Sequence, residues 1–340
     1  MHDLATRRSM IGGLAALPLV GCASAAVRER DVVQVNLTRA LPPGAMTAAE
    51  GDAAVRTSFD AVSRMTLAVM VNGSGPYRFV VDTGANRSVL STEVATALDL
   101  EPSGRAMVHG IAGVLPSPTV RVQSLGIGGL VSRRVSMPVL DRRFLGADGL
   151  LGVDVMANRR AILDFRGQTF TLAAGDDPRN FAAVPQIGRD ATDAIVVQAR
   201  HRFGQLTIVD AEIGGVKLTA FLDSGAENTV GNPALRDALL GRGALNERFA
   251  QVELVSATGQ LAAGEVATVP PLRLGGVRLG NMACVFADLH TFRIWDLDDR
   301  PALLIGVDVM RHFDSIELNF RERLVKFRSS QFGRTINTAG

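Results

Sequence analysis

Two short runs of the sequence place a carboxylate directly after an apolar stretch and directly before a hydroxyl residue and a glycine. They are Phe79–Ala85 (FVVDTGA) and Phe221–Ala226 (FLDSGA), with Asp82 and Asp223 at equivalent places. If the runs meet across a pseudo-twofold axis, the two carboxyl groups share one proton, because both cannot be ionised at hydrogen-bond distance. The ionised group can take a proton from water while the protonated group donates one to an amide. The pair therefore predicts acid–base catalysis that needs no metal and no cofactor.

The residues beside each aspartate are suited to building such a pair. Gly84 and Gly225 allow the tight turn that brings backbone N–H groups close to each carboxylate. Thr83 and Ser224 follow the aspartates, and their hydroxyl groups are expected to hydrogen-bond across the interface and lock the two loops together. We therefore interpret both runs as active loops that these four residues support.

The loops continue with Ala85 and Ala226, which complete the predicted support and have no hydroxyl group. A serine or threonine there would be able to hydrogen-bond the ionised carboxylate and lower its pKa. Without that donor, the shared proton is expected to stay bound to a higher pH. The sequence therefore predicts an activity optimum in mildly acidic to neutral conditions, and an optimum below about pH 3.5 would contradict it.

The two runs belong to a longer internal repeat, which predicts two similar halves. Both halves contain a Leu-x-(Ile/Leu)-Gly-Gly run and later a Gly-Val-Asp-Val-Met run, within Leu150–Met156 and Leu304–Met310. The second half is longer, mostly through Leu289–Pro301, which holds the single tryptophan, Trp295. The Trp295 side chain is expected either to overhang the cleft between the halves or to cover its own half, which is the commoner role of an insertion.

Short apolar or alternating runs separated by Gly, Pro, Asn and Asp are typical of strands. The predicted fold class is mostly β, with two pseudo-twofold-related β-barrel lobes, few short helices and a cleft between the lobes. Helices are predicted over Ser91–Leu98, Val153–Ala157, Pro233–Leu240 and Val307–His312. The predicted organisation is a signal peptide (1–21), a spacer with an N-terminal strand near Val32–Leu37 (22–64), an N-terminal lobe (65–173), an inter-lobe connection (174–203), a C-terminal lobe (204–330) and a tail (331–340).

The first residues are interpreted as an export signal and not as part of the fold. Arg7 and Arg8 precede an apolar run from Ile11 to Val20 that is too short to span a bilayer. The run leads into Leu-Val-Gly-Cys, a lipobox-like pattern with Cys22 as the acylated residue; an ordinary secretory signal with a chance cysteine is the alternative. We therefore expect an exported periplasmic lipoprotein that uses the twin-arginine or general secretory machinery and is anchored to the membrane through lipidated Cys22.

Composition argues against several other classes. A net charge of +2 with dispersed Lys and Arg does not favour a nucleic-acid partner. The five histidines have no metal-ligand spacing, so a metal site is not predicted. If Cys22 carries lipid, Cys284 stands alone in an apolar run and is expected to be a small buried residue without a redox role.

The doubled Asp-hydroxyl-Gly-Ala pattern, with a later apolar-apolar-Gly run in each half, resembles the retropepsin-like aspartic endopeptidases in their fused two-lobe, exported bacterial form. The resemblance covers residues 65 to 327. It implies acid protease lobes, with Asp82 and Asp223 as the catalytic pair of an aspartic-type endopeptidase, a peptide-bond hydrolase. It also implies Asp154 and Asp308 as structural supports and an extended polypeptide, here an envelope protein, as the substrate. One chain supplies both carboxylates, so a monomer is sufficient for catalysis.

Several loop residues are candidates for substrate binding. Val108–Pro118 resembles a flap hairpin over the cleft, and Ser256–Gln260 is its counterpart in the second half; a plain β-hairpin is the alternative. Neither segment carries the flap tyrosine of the pepsin-like branch, which favours the retropepsin-like branch. His109, Gly110 and Ile111 of the flap segment are candidates for substrate binding. Asn86 and Glu227 directly follow the active loops and are two further candidates; for these two, an ordinary solvated loop residue is the alternative.

Two other functions are compatible with an exported protein of this pattern. The main alternative is a catalytically silent peptide-binding lipoprotein of the same fold, and the other is an envelope structural lipoprotein. Both aspartates, both hydroxyl residues and both glycines are present, which favours proteolysis over the silent peptide-binding module.

Overall fold

A computed structural model describes residues 32–34, 53–157, 159–174, 189–190, 194–202, 205–246, 248–280, 282–329 and 336–337. The predicted signal peptide and Cys22 lie outside the described residues, as do most of the predicted inter-lobe connection and tail. Within the described ranges, no helix is long and apolar enough to cross a membrane.

The chain is mostly β, as predicted, and its first half forms one lobe around the first active loop. In chain order the strands of this half are β1 (Val32–Gln34), β2 (Ala53–Phe59), β3 (Met65–Val71), β4 (Ser74–Val81), β5 (Val89–Ser91), β6 (Pro102–Gly110), β7 (Gly113–Ile127), β8 (Leu130–Leu140), β9 (Gly149–Leu151), β10 (Arg159–Asp164) and β11 (Thr169–Ala174). Its helices are α1 (Thr92–Ala97), α2 (Arg142–Leu145) and α3 (Val153–Met156).

The second half repeats this plan around the second active loop. Its strands are β12 (Arg189–Asp190), β13 (Ala194–Arg202), β14 (Gln205–Ile213), β15 (Val216–Leu222), β16 (Val230–Gly231), β17 (Ala250–Val255), β18 (Leu261–Val269), β19 (Leu272–Leu274), β20 (Val277–Gly280), β21 (Met282–Phe286), β22 (Ala302–Ile305), β23 (Ser315–Asn319), β24 (Leu324–Arg328) and β25 (Ile336–Asn337). Its helices are α4 (Pro233–Gly241), α5 (His290–Ile294) and α6 (Val307–Met310).

The four predicted helices form close to their expected bounds, as α1, α3, α4 and α6. Side-chain caps explain two of the starts: the Ser91 hydroxyl accepts a hydrogen bond from Val94 N (3.2 Å), and the Asn232 side chain accepts one from Leu235 N (2.9 Å). Helices α2 and α5 were not predicted. Each is only one turn or slightly longer, so tertiary contacts and not helix propensity decide whether it forms.

Strands from both halves join in one antiparallel sheet, with the order β2-β11-β10-β23-β24-β13. The centre of this sheet is the pairing of β10 with β23, where Ile162 lies opposite Glu317. Strand Ala53–Phe59 falls in the segment predicted as spacer, and strand Ala194–Arg202 falls in the predicted connection. Both instead add to the shared sheet, because their backbone groups pair with strands that are distant in sequence.

The predicted strand near Val32–Leu37 is observed as Val32–Gln34, which runs parallel to Met107–His109 of the flap strand β6. The neighbouring residues 35–52 lie outside the described residues.

One large apolar cluster extends through both halves, and each half adds a smaller cluster beneath its active loop. The cluster of the second half contains Phe221 and the fully buried Trp295, whose ring centroids lie 3.7 Å apart. Trp295 therefore covers its own lobe and does not overhang the cleft. Cys284 is buried without a disulfide, and its pKa is raised by burial, so its side chain behaves as a small apolar group.

Candidate active site

Each aspartate stands at the end of a buried strand that pairs with a second, parallel strand. Asp82 follows β4, and its N–H donates to Leu151 O of β9 (3.0 Å). Asp223 follows β15, and its N–H donates to Ile305 O of β22 (2.9 Å). Both strands end in apolar residues that are almost wholly buried, so each carboxyl group emerges from the core at a fixed position.

The two active loops meet so closely that each glycine faces the carboxyl group of the other loop. A Cβ atom built on Gly84 would lie 2.3 Å from Asp223 Cγ, and one built on Gly225 would lie 2.4 Å from Asp82 Cγ. Real Cβ atoms do not approach other atoms so closely, so only glycine fits at either place. The structure thus brings together the two aspartates that the sequence pairs, and both side chains are buried.

The inner oxygen of each carboxyl group is held by the backbone of its own loop. Asp82 Oδ1 accepts hydrogen bonds from the N–H groups of Gly84 and Ala85 (both 2.8 Å). Asp223 Oδ1 accepts equivalent bonds from Gly225 (2.9 Å) and Ala226 (3.1 Å). The outer atoms, both Oδ2, are buried without a geometric hydrogen-bond partner among the described residues. They are therefore the atoms suited to share a proton and to bind a water.

Burial and the repulsion between the two carboxyl groups raise their pKa values to different extents. Burial raises the pKa of Asp82 to about 6, and the amide donors of Ala85 and Gly84 and the charge of Arg64 oppose that rise. Burial also raises the pKa of Asp223 well above its usual range, and the negative charge of Asp82 raises it further. The two directions together favour a pair that holds one proton, with Asp82 as the member that ionises more readily.

Thr83 and Ser224 form a reciprocal lock between the loops. Thr83 Oγ1 donates to Leu222 O (2.8 Å) and accepts from Ser224 N (3.0 Å). Ser224 Oγ donates to Val81 O (2.7 Å) and accepts from Thr83 N (3.0 Å). All four bonds are buried, so they fix the distance between the aspartates.

A second pair of networks supports the loops from below. Ser88 donates to Asp154 Oδ1 through its hydroxyl (2.8 Å) and its N–H (2.9 Å), and its hydroxyl accepts from Gly152 N (3.0 Å). In the other half, the Thr229 hydroxyl donates to Asp308 Oδ1 (2.7 Å), Thr229 N donates to Asp308 Oδ2 (2.9 Å), and the hydroxyl accepts from Gly306 N (3.1 Å). These contacts place Asp154 and Asp308 as structural supports.

Sequence reasoning missed Ser88 and Thr229. The available signal was that both halves have a hydroxyl residue at the same offset from the aspartate, six positions after Asp82 and six after Asp223.

The flap hairpin and its counterpart both form, and they contact each other. A Cβ atom on Gly110 would lie 2.1 Å from Ser256 Oγ, so the flap tip is pressed against the second loop. Gln260 Nε2 also donates to Val114 O (3.1 Å). The flap residue Ile111 and Ala257 of the second loop line the same cavity as Asp82, so the two hairpins form a roof over the dyad.

The cavity beside Asp82 has a volume of about 440 Å³, which is within the range of ligand-binding pockets. Its wall is largely apolar, and charged side chains of both signs also line it. The apolar lining includes Ile111, Phe144, Leu150, Val230, Leu254 and Leu304, and the charged lining besides Asp82 is Arg64, Arg143, Glu227 and Glu253.

The structure separates the five candidate substrate contacts. Ile111 and Glu227 line the cavity, whereas Asn86 is buried and Gly110 packs against the second loop. The His109 ring lies against His290 of the other half, with Nδ1 and Nε2 at 2.9 Å and ring centroids 5.2 Å apart. The His109 ring therefore points toward the insertion of the C-terminal lobe and not into this cavity.

His290 is a further residue that sequence reasoning missed, because it stands alone in the insertion. Its backbone N–H donates to Ile111 O (2.9 Å), so α5 holds the flap by backbone and side chain together. Burial and the neighbouring His290 lower the pKa of His109 to about 4, and burial and Arg293 lower the pKa of His290. Both rings are therefore neutral near pH 7.

Within the part of the chain that the structure describes, no three His, Cys, Asp or Glu side chains come together in a group that could hold a metal ion.

Two pseudo-symmetric β lobes that each contribute an Asp-hydroxyl-Gly loop to one dyad define a two-lobe retropepsin-like protein. A family model described as aspartyl protease matches residues 67–155 and 209–309, once in each half. The matched segments together cover more than half of the chain, which therefore belongs to the aspartyl protease family. No curated protein matches the chain in a sequence search.

Proposed function

We propose that this protein is an aspartic endopeptidase in which Asp82 and Asp223 activate water to hydrolyse peptide bonds. The observation that carries the proposal is the buried pair of carboxyl groups with raised pKa values, held by reciprocal glycines and hydroxyls. An aspartyl protease that keeps every part of this arrangement has the groups that the chemistry requires.

The geometry supports a division of labour between the two aspartates. Ionised Asp82 takes a proton from a water bound at the Oδ2 atoms, and the water oxygen forms a bond to the carbonyl carbon of the substrate. Protonated Asp223 donates its proton to the carbonyl oxygen as that bond forms. As the C–N bond breaks, the proton held by Asp82 passes to the leaving nitrogen. One hydroxyl group of the tetrahedral intermediate returns its proton to Asp223, so the acid product and the starting state of the pair are both restored. No covalent link between enzyme and substrate is formed.

The roof and the cavity favour an extended polypeptide as substrate. A peptide in strand conformation can pair its backbone with the hairpins while side chains enter apolar pockets next to the dyad. Both carboxylates come from one chain, so catalysis does not require a dimer.

We further propose that the physiological substrates are envelope proteins, because residues 1–22 have the pattern of an export signal with a lipobox. If Cys22 is acylated, Cys22→Ser will release the chain from the membrane fraction without changing its catalytic rate. An unchanged membrane fraction would contradict lipid anchoring.

The catalytic proposal is tested with the purified full chain and an unfolded protein, such as casein, with the new N-termini mapped by mass spectrometry. Asp82→Asn and Asp223→Asn are each expected to reduce cleavage by about 10³-fold or more, because each removes one partner of the acid–base pair. The matched control is Asp237→Asn, which removes an exposed aspartate that pairs with its neighbour Arg236 on α4. Peptide binding without cleavage by the native chain would instead indicate a silent peptide-binding module.

In cells, the same comparison identifies the substrates. Envelope proteins with N-termini that appear with the native chain and are absent with Asp82→Asn are the expected products. Identical termini in both strains would argue against envelope proteolysis.

A further inference from the structure

Arg64 lies between the two lobes, immediately before strand β3, and the sequence patterns do not single it out. Its side chain is only 14% exposed and forms an ion pair from Nε to Asp60 Oδ2 (2.7 Å). Nη2 donates to Leu145 O of the N-terminal lobe (2.9 Å), and Nη1 makes a longer contact with Gly225 O of the second active loop (3.5 Å). The guanidinium group therefore bridges helix α2 of the N-terminal lobe and the second active loop.

The same guanidinium group lines the cavity together with Asp82 and Gly225. A guanidinium keeps its positive charge throughout the pH range in which proteins work. A fixed cation beside a buried carboxyl group favours the ionised form of that group. Consistent with this, the charge of Arg64 opposes the rise that burial causes in the pKa of Asp82.

The two lobes differ at this position. In the N-terminal lobe Thr66 pairs with Val80, two residues before Asp82, and Arg64 precedes Thr66 by two positions. In the C-terminal lobe Thr207 pairs with Phe221, two residues before Asp223, and Gln205 precedes Thr207 by two positions. The equivalent of Arg64 is therefore a neutral residue, and the internal repeat does not supply Asp223 with a matching cation.

We propose that Arg64 is a positioning residue that makes the pseudo-symmetric dyad unequal. Its charge keeps Asp82 as the ionised member, and its contacts with Leu145 and Gly225 hold the second active loop against the N-terminal lobe. This inference rests on the proposed function, since it assigns the base to Asp82 and the acid to Asp223.

The physical consequence is that the proton has one preferred place. Two carboxyl groups in equivalent surroundings would hold the shared proton on either side with equal probability, so neither residue would have a fixed role as acid or base. With a cation on one side, almost every molecule carries its proton on Asp223. Activity then begins at the pH at which Asp82 loses its proton.

The test is the pH dependence of kcat/KM for the full chain and for Arg64→Gln. Removal of the cation is expected to move the acid limb of the profile upward by about one pH unit, and so to lower activity on that limb about tenfold. Arg64→Lys keeps the charge and loses the planar fork, so its acid limb is expected to stay near that of the native chain, even if KM rises. An unmoved limb in Arg64→Gln would overturn the proposal.

Arg160→Gln is the matched control. Arg160 forms a similarly buried ion pair with Glu317 (3.1 Å; side chains 10% and 11% exposed) in the shared sheet. Its loss is expected to reduce stability without moving the acid limb. An equal shift in Arg160→Gln would mean that any loss of a buried pair moves the profile, which would also overturn a specific role for Arg64.

A second readout separates this inference from the proposed function. Carboxyl ¹³C NMR of the full chain, with Asp82 assigned through Asp82→Asn, follows the titration without requiring turnover. Asp82 is expected to titrate about one pH unit higher in Arg64→Gln than in the native chain. A chain that cleaves nothing but shows this shift would refute the proposed function and retain the bias by Arg64, whereas an unchanged titration would refute the bias alone.

Discussion

The two lobes carry the same chemistry on different supports. Their active loops match donor for donor, as do the networks of Asp154 and Asp308. The helix between β8 and β9 differs from its equivalent between β21 and β22: α2 is a single turn, whereas α5 belongs to the longer insertion Leu289–Pro301. The groups that hold the active loops thus repeat closely, while the helices that support the hairpins have diverged.

Each of these helices supports the hairpin of the opposite lobe. Phe144 of α2 packs its ring against Gly259, where a Cβ atom would lie 2.6 Å from the ring. His290 of α5 instead holds His109 and Ile111 by polar contacts. The roof is therefore closed by an aromatic contact on one side and by a hydrogen-bonded contact on the other, which means that the two hairpins can respond differently to pH and to substitution.

Among substitutions that compare the two lobes, the largest loss in the free energy of unfolding is expected from Trp295→Ala. Trp295→Ala removes a fully buried ring from its contact with Phe221 and should lower the free energy of unfolding by about 4 kcal/mol. Phe144→Ala, its counterpart in the shorter helix, should cost about 1 kcal/mol because Phe144 is partly exposed. Urea unfolding measures both values. Equal losses would mean that the insertion adds no more to its lobe than α2 does.

The support networks should behave alike in the two lobes. Ser88→Ala and Thr229→Val each remove only the hydroxyl function that links an aspartate to a backbone N–H, at an expected cost of about 2 kcal/mol. Ser88→Thr and Thr229→Ser keep the hydroxyl and should remain within about 1 kcal/mol of the native chain. If only one of the two removals is costly, the networks are not equivalent.

The partly buried carboxyl group of Asp154 should make stability depend on pH. Burial raises its pKa from 3.8 to about 6, so the folded state binds a proton more tightly than the unfolded state. The resulting stabilisation is present below about pH 4 and is lost as the pH rises through 6. Asp154→Asn should therefore remove about 1 kcal/mol of this decline, because the side chain is partly exposed.

Urea unfolding at several pH values between about 4 and 7 checks this expectation. The same decline in Asp154→Asn and the native chain would assign it to other groups, among them the two aspartates of the dyad.

The smallest effect is expected at the flap. His290→Ala removes the ring contact with His109 and keeps the backbone bond to Ile111 O, so KM for a peptide should rise about threefold at pH 7. Amide hydrogen exchange of the flap tip should accelerate in parallel. An unchanged KM together with unchanged exchange would show that the polar contact does not hold the flap.

The active loops were predictable because their parts lie together in sequence and occur twice. Asp82, Thr83 and Gly84 are consecutive, and their repeat at 223–225 is enough to identify the pair. The pH expectation from Ala85 and Ala226 had the right direction for the raised pKa values, although burial is the main cause. The optimum itself remains a prediction.

Other parts were not predictable, because a distant partner defines them. Strands Ala53–Phe59 and Ala194–Arg202 join the shared sheet by pairing with strands distant in sequence, and neither is marked as part of a lobe by local pattern. His109 was expected to face substrate, yet its ring packs against His290, 181 residues away in the chain. A single histidine near a hairpin tip has no sequence pattern that specifies which way its ring turns.

By itself, the sequence determined the doubled loop, the mostly β lobes and the family, because short motifs and strand patterns are local properties of the chain. The tertiary structure alone decided how the two copies became unequal. Arg64 acts on Asp82 through space, and the roof is closed by Phe144 and His290 from opposite lobes. Electrostatic and packing forces depend on distance in the folded molecule, and distance along the chain does not reveal them.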